Sequence, residues 1–579
     1  MRFANRNTLW GTVIADELHN AGVRAVSLAP GSRCTPLTVA FADHERIDPY
    51  SHLDERSAAF FALGRAKQTG VPMPVVCTSG TAAANFHPAV IEADEARVPM
   101  VVLTADRPRV LQDSGANQTV DQERLYGDAV RTDRTLPEPA VDDRKLRSLR
   151  TTIARAVATS MGPDPGPVHL NVPFEKPLEP VPTDDVSEAF IEEHPLAVSG
   201  RDGPFIDVST ATPDPNPEKI DALTDAIETA LRGLIVTGPD SPLSGAKLAQ
   251  LTEATGFPVL ADPLSGHRFG AHVDRVPVYG GYDSYLDAFE TAPDVVVRFG
   301  ASPTSKTLRQ YLRDAPARQI VVDSAGEWPE ATFTATDLLT ADPTRFVDAI
   351  TDRLDRTTSS QSWRDRFTDM EARYWSFVGA ETTDFEGGVL YDVAALAPDP
   401  STLFVSNSMP VRDLDRFGKP RSASIAALGN RGASGIDGVT SSALGAASAG
   451  TEPLVLVTGD LAYYHDMNGL LAVDRCGVNA TIVLVNNDGG GIFHLLPIEE
   501  YDPPFTDFFN TPHGLDFEPT GELYGLEFER VDSREAFRTA YQRSLNSDGT
   551  QVIEVAIDGE QSHRHRERLH ERVKAQIGD

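Results

Sequence analysis

The feature that most limits what this chain can fold into is a repeated alternation. Short runs rich in β-branched residues close on Gly, Asp, Asn or Ser, and longer stretches of helical character separate them. From Val23 to Val172 the runs are VRAVSLAP, PVVCTSG, MVVLTAD and VHLNVP, with ERSAAFFALGRAKQ and TAAANFHPAVIEADEA between them. Runs that are apolar throughout are covered on both faces, so the pattern predicts a parallel sheet with crossover helices. A second round follows (LIVTG, PVLAD, VVVRFG, QIVVDSAG), and a third from about Phe385 (TLFVSNS, SASIAAL, PLVLVTGD, TIVLVNND, QVIEVAI). The fold class is therefore α/β, with three doubly wound parallel-sheet domains, at 1–180, 218–355 and 380–579. Residues 177–217 hold eight prolines, with Asp184-Asp185 and Glu192-Glu193, and 181–217 reads as a connecting linker. A Ser/Thr-rich segment, Asp355 to Gln361, closes the middle domain. The first and last rounds are candidates for distant copies of one fold.

Charge narrows the partners. The chain carries 85 Asp+Glu against 52 Lys+Arg, a net −33, which excludes a nucleic-acid binder working by phosphate neutralisation. Only 8 of the basic residues are lysine and 44 are arginine. Excess carboxylate with scarce lysine suits molar salt, where a Debye length of roughly 3 Å silences surface repulsion; an ordinary acidic protein is the alternative. Cys34, Cys77 and Cys476 stand far apart without a C-x-x-C pair, so they read as reduced thiols. No run reaches 18 apolar residues and the first ten residues lack a signal-peptide core, so a cytoplasmic protein without membrane insertion is expected.

In open parallel sheets ligands sit beyond the carboxyl ends of the strands. PLVLVTG runs through Gly459 into Asp460, and 27 residues later TIVLVN runs into Asn487, Asp488 and the glycines 489–491. A carboxylate, an amide oxygen and a backbone carbonyl make a hard oxygen half-shell for Mg²⁺ whose other ligands are phosphate and water. Taken singly, Gly-Asp is a helix cap and Asn-Asp-Gly-Gly a turn. The middle round lacks G-x-G-x-x-G and a P-loop, so nothing there argues for a dinucleotide or NTP.

The joint spacing resembles the thiamin-diphosphate motif, Gly-Asp followed after some 25 to 30 residues by Asn. That resemblance calls for a glutamate on the first domain to bond ring nitrogen N1′ of the cofactor. Glu55 fits, after a short strand-like run and at a helix start, where the dipole favours an anion; an ordinary first-turn glutamate is the alternative. PGSRCTPL (30–37), DERSAAFFALG (54–64), TSGTAAANFHPAVIEA (78–93), TADRP (104–108), GANQT (115–119), NRGASGIDG (430–438) and NNDGGGIFHLLP (486–497) together resemble the 2-succinyl-5-enolpyruvyl-6-hydroxy-3-cyclohexene-1-carboxylate synthases, thiamin-diphosphate carboligases of the menaquinone pathway. The resemblance is strong at both ends and rests on RFGASPTSK alone in the middle.

It implies a pyrimidine-binding, a central and a diphosphate-binding domain, and decarboxylation of 2-oxoglutarate with transfer of the succinyl unit to isochorismate. It implies a homodimer or homotetramer. By residue it makes Glu55 the cofactor activator and puts Asp460, Asn487 and the Gly489 carbonyl on Mg²⁺ or Mn²⁺. Gly459 and Leu461 join the cofactor site, Ile436 holds the cofactor bent, and Ile492, Phe493 and Leu496 line the pocket. Two substrates with two carboxylates each need fixed cations, and Arg33, Arg107 and Arg431 beside Ser, Pro or Gly, with Arg412 two residues after Pro410, are read at loop positions where a guanidinium can meet a carboxylate. Ser32, Gln118, Ser408 and Lys306 would add donors. Thr307 follows Lys306 where some relatives carry arginine, and Asp488 replaces the commoner asparagine. Rival readings are an acetolactate-synthase-like carboligase, a 2-oxoacid decarboxylase, and a non-catalytic scaffold. None of the 14 histidines neighbours another, as the His-His pair of many such decarboxylases would require.

Overall fold

The structure, a computed structural model, describes residues 3–354, 360–381 and 384–577. It contains three six-stranded sheets, parallel throughout. The first holds β1 (Ala25–Ala29), β2 (Asp48–Ser51), β3 (Met73–Cys77), β4 (Met100–Asp106), β5 (Asp133–Thr135) and β6 (Pro167–Pro173) in the order 2-1-3-4-6-5. The second holds β7 (Gly233–Thr237), β8 (Val259–Ala261), β9 (Val278–Tyr279), β10 (Val295–Phe299), β11 (Arg318–Asp323) and β12 (Asp337–Thr340) in the order 12-11-10-7-8-9. The third holds β13 (Ser401–Val405), β14 (Ile425–Leu428), β15 (Leu454–Gly459), β16 (Thr481–Asn486), β17 (Glu527–Val531) and β18 (Gln551–Ala556) in the order 14-13-15-16-18-17.

Counted from each sheet's first strand, the first and third share the order 2-1-3-4-6-5, as expected of two copies of one fold. The second, read from β9, is 3-2-1-4-5-6, the dinucleotide-binding order, on a sequence without its glycine fingerprint. The inner strands are buried along most or all of their length, and the sequence reading found all of them. It missed β5, β9, β12 and β17. All four are edge strands, which pair on one side only and so tolerate short, polar sequences such as DRT and EFERV.

The chain forms two compact units: residues 1–211, 430–451 and 465–478 in one, and 212–429, 452–464 and 479–579 in the other. Thus 430–451 and 465–478, expected within the last domain, pack with the first sheet. The reason is a glycine-mediated helix crossing. A Cβ on Gly64, in helix Glu55–Thr69, would lie 1.8 Å from the Ser442 carbonyl oxygen, and one on Gly445, in helix Val439–Ala447, 2.0 Å from that of Phe61. Only bare backbones can approach so closely. Helix Glu55–Thr69 is consequently buried from Ser57 to Gly64.

The stretch 181–217 is more than a tether. Val186, Ala197 and Val198 are buried, and buried Arg150 donates to the carbonyls of Ala197 and Val198 and to Glu17. The segment expected to close the middle domain falls at 355–359 outside the described residues. Among the described residues no helix is long and apolar enough to cross a membrane.

Candidate active site

In the first unit, Asp54 caps helix Glu55–Thr69 by accepting from the backbone N–H of Arg56 (2.8 Å) and Ser57 (3.3 Å), so Glu55 stands in its first turn, half-buried. Ser32 and Arg33 lie on the turn after β1 and Arg107 on the turn after β4, whereas Gln118, farther along the segment after β4, is bonded to the turn after β3. Ser32 is exposed and opens a 3-10 turn, its carbonyl accepting from Thr35 Oγ1 (2.8 Å). Buried Arg33 donates Nη1 to the Phe174 carbonyl (2.6 Å) and its backbone N–H to Thr78 Oγ1 (3.2 Å). Arg107 donates Nη2 to the Asn117 carbonyl (3.0 Å). Each arginine retains a buried Nε without a protein partner. Gln118, at φ +56, donates Nε2 to the Ser79 carbonyl (3.0 Å) and accepts Ser79 Oγ on its own carbonyl (3.0 Å).

A buried network missed by sequence reading fixes these turns. Asp106 accepts the Arg107 N–H (2.7 Å) and Asn171 Nδ2 (2.8 Å). Asn171 Oδ1 accepts from Thr104 (2.9 Å) and Gln122 (2.9 Å), and Gln122 Oε1 accepts the Gly80 N–H (2.8 Å). Burial raises the Asp106 carboxyl above the usual range, opposed by the bonds from Asn171 and Arg107. Arg431 and Ile436, both half-buried, follow the crossing into this unit. Their loop hangs on buried Glu92, whose carboxylate accepts three consecutive backbone N–H groups, Gly432 (2.7 Å), Ala433 (2.7 Å) and Ser434 (3.1 Å). Burial raises Glu92 as well. Glu92 lies inside a quoted motif, but nothing in its spacing foretold this contact.

In the second unit, Asp460 is 2 % exposed at the end of β15. It accepts the Leu461 N–H (2.7 Å), the Gly489 N–H (2.9 Å) and His513 Nε2 (3.2 Å). His513 Nδ1 accepts from the Leu515 N–H (3.0 Å), which leaves the proton on Nε2 to face Asp460. Desolvation by burial raises the Asp460 carboxyl, opposed by those donors. Asp488, at φ +58, accepts the backbone N–H of His513 (3.0 Å) and Gly514 (2.7 Å), so it holds the loop that brings His513. Gly459, the last residue of β15, is half-buried. Gly489 has φ +148, and a Cβ there would sit 2.1 Å from the Asn510 carbonyl oxygen, so no other residue fits.

Asn487 supplies the observation that tests the metal. Its Nδ2 donates to Glu386 Oε1 (2.6 Å), whereas its Oδ1 is buried with no partner. A buried acceptor left unpaired costs about 1 to 3 kcal/mol. The Asp460 carboxylate, desolvated by burial, and the Gly489 carbonyl, which itself accepts from the Gly491 N–H (3.1 Å), are oxygen donors of the same hard type, so the residues present fit a hard divalent cation. Ile492 and Phe493 follow in a 3-10 segment, half-buried, with Leu496 46 % exposed beyond it. Ser408, after β13, is held at φ +70, ψ −129, a conformation that costs a non-glycine residue about 1 to 3 kcal/mol, and its carbonyl accepts Arg412 Nη1 (2.6 Å). Lys306 opens helix Lys306–Asp314, exposed, a cation where the dipole disfavours one. Such local costs accumulate at functional sites.

The N-terminal thiamine pyrophosphate-binding domain of thiamine pyrophosphate enzymes matches residues 10–125, their middle domain 211–405 and their C-terminal thiamine pyrophosphate-binding domain 417–555. The 2-succinyl-5-enolpyruvyl-6-hydroxy-3-cyclohexene-1-carboxylate synthase of Natronomonas pharaonis is 62 % identical over 100 % of both chains. The chain belongs to this synthase family. Synthases of Haloarcula marismortui (60 % identical, 99 % of each chain) and Roseiflexus castenholzii (49 %, 96 % of each) are similar along their whole length too. Among solved structures, a benzoylformate decarboxylase from Polynucleobacter necessarius superposes with a TM-score of 0.70 over 95 % of this chain and 98 % of that one, at 18 % identity, and speaks to the fold alone. Family membership covers the middle domain as well, where the motifs alone were thin.

Proposed function

We propose that the protein is a cytoplasmic thiamin-diphosphate- and Mg²⁺- or Mn²⁺-dependent carboligase, active as a homodimer or homotetramer. It would decarboxylate 2-oxoglutarate and add the succinyl unit to isochorismate, releasing CO₂ and 2-succinyl-5-enolpyruvyl-6-hydroxy-3-cyclohexene-1-carboxylate. The whole-length similarity to synthases of that name supports the chemistry. The observation that carries the substrate choice is the pair Arg33 and Arg107, at the carboxyl ends of β1 and β4, each with a buried Nε that has no protein partner. Substrates bearing two carboxylates each give such nitrogens an ionised acceptor.

When bound, thiamin diphosphate supplies the carbon nucleophile and the electron sink that decarboxylation requires. Glu55 would hold the proton at N1′ of its aminopyrimidine. Asp460, Asn487 Oδ1 and the Gly489 carbonyl would hold the metal and through it the diphosphate. Arg33 and Arg107 would grip substrate carboxylates, with Gln118 fixing the turn beside them. The strained Ser408, with Arg412 and Lys306, would offer further donors, and Arg431 and Ile436 would be presented by the loop that Glu92 anchors.

The test is incubation of the purified protein in molar KCl with thiamin diphosphate, Mg²⁺, 2-oxoglutarate and isochorismate. CO₂ release with the ligated product mass is expected. In a parallel incubation with pyruvate in place of 2-oxoglutarate, ligation of pyruvate to itself, with no product from isochorismate in either, would replace this reading with the acetolactate-synthase-like one.

A further inference from the structure

We propose that Glu386 is a positioning residue that decides which end of the Asn487 amide faces the metal. The proposal rests on the metal-site reading above. An asparagine amide has two nearly isosteric ends: the oxygen can ligate a cation, while the NH₂ group, a pure donor, repels one. Rotation by half a turn exchanges them, and Asn487 contains nothing that forbids it.

Glu386, in the first turn of helix Glu386–Leu396, settles the choice. Its Oε1 lies 2.6 Å from Asn487 Nδ2, and an ionised carboxylate only accepts, so the flipped amide would set oxygen against oxygen. The carboxylate is in turn fixed. Arg566, from helix Gly559–Ile577, donates Nη2 to Glu386 Oε2 (2.7 Å) and forks onto Asp413 through Nε (2.9 Å) and Nη2 (2.8 Å). All three side chains are at most 5 % exposed. Gly491 leaves the space this requires, since a Cβ there would lie 2.5 Å from Asn487 Nδ2. The outcome is a rigid buried relay that leaves Oδ1 as the unmet side-chain atom of Asn487. Partners that orient a metal ligand from behind commonly affect metal affinity about ten- to hundredfold.

The experiment is a double-mutant cycle read by Mn²⁺ affinity, with calorimetry on the protein plus thiamin diphosphate in molar KCl, independent of turnover. Glu386→Gln should weaken Mn²⁺ binding about ten- to hundredfold, because a glutamine amide satisfies either orientation of Asn487. Asn487→Asp makes the ligand symmetric and abolishes the need for orientation. It should therefore help the Glu386→Gln background at least about tenfold more than it helps the parent. The exchanged pair carries the parent's net charge, so it should fold even if Glu386→Gln alone does not. Parental affinity in Glu386→Gln would overturn the proposal, as would equal effects of Asn487→Asp in both backgrounds or an exchanged variant that does not fold. A parent that binds no Mn²⁺ would overturn the metal-site reading itself, and this proposal with it.

Discussion

Gly64→Ala offers the sharpest check on the packing that carries Glu55. The added methyl would lie 1.8 Å from the Ser442 carbonyl oxygen, 2.5 Å from its carbon and 2.7 Å from its Cα. All three are backbone atoms of a helix, so no side chain can swing aside, and the two helices must part by roughly 1 Å or more. Overpacking of this kind costs typically 1 to 3 kcal/mol, and rigid backbone on both sides puts this site at about 3. Alanine recovers about 1 kcal/mol of helix propensity over glycine. The net loss of about 2 kcal/mol is roughly a thirtyfold shift in the local folding equilibrium. Native-state hydrogen exchange along 55–69 and 439–447 should show protection reduced by that factor, and turnover should fall because Glu55 moves with its helix. Gly379→Ala is the control, since among the described residues its methyl would meet only Tyr391 Oη at 3.3 Å and should leave protection unchanged or raised. Parental protection in Gly64→Ala would refute the close-crossing argument.

Four further outcomes follow from the same geometry. Glu55→Gln should retain cofactor binding by calorimetry but lose most turnover, because an amide holds the contact without sustaining proton transfer. Arg107→Ala removes a charge-assisted contact of roughly 1.5 to 3 kcal/mol, so kcat/KM should fall by about one to two decades; steady-state kinetics in each substrate separately will show whether the loss falls on isochorismate, as expected. Burial lowers His267 to about 4, and its Nδ1 is buried without a partner, so its ring is neutral when folded. Its stabilisation is present above pH 6.5 and lost as pH falls toward 4, and the parent's advantage over His267→Leu in melting temperature should shrink across that window. With a net charge of −33, melting temperature should rise steeply from dilute buffer to molar KCl; a flat profile would leave the ordinary-acidic reading.

The inner strands, the three-sheet order and the adjacency of the two strands that run into Asp460 and Asn487 were legible in the sequence because each depends on local pattern: continuous apolar runs, and polar residues placed just beyond them. Four edge strands were not, because pairing on one side leaves little demand for apolar residues. Nothing local says that residues 430–451 leave their own sheet to pack with the first, since Gly64 and Gly445 acquire meaning only when two helices cross there. The same holds for the groups that steady the site. Glu92, Glu386, Asp106 and His513 are single polar residues whose partners lie far along the chain, 101 residues in the case of Glu386 and Asn487. Residue type and spacing told which atoms could meet a metal or a carboxylate. Only the tertiary structure decided which were already spent on the protein itself and which, like Asn487 Oδ1, were left unpaired.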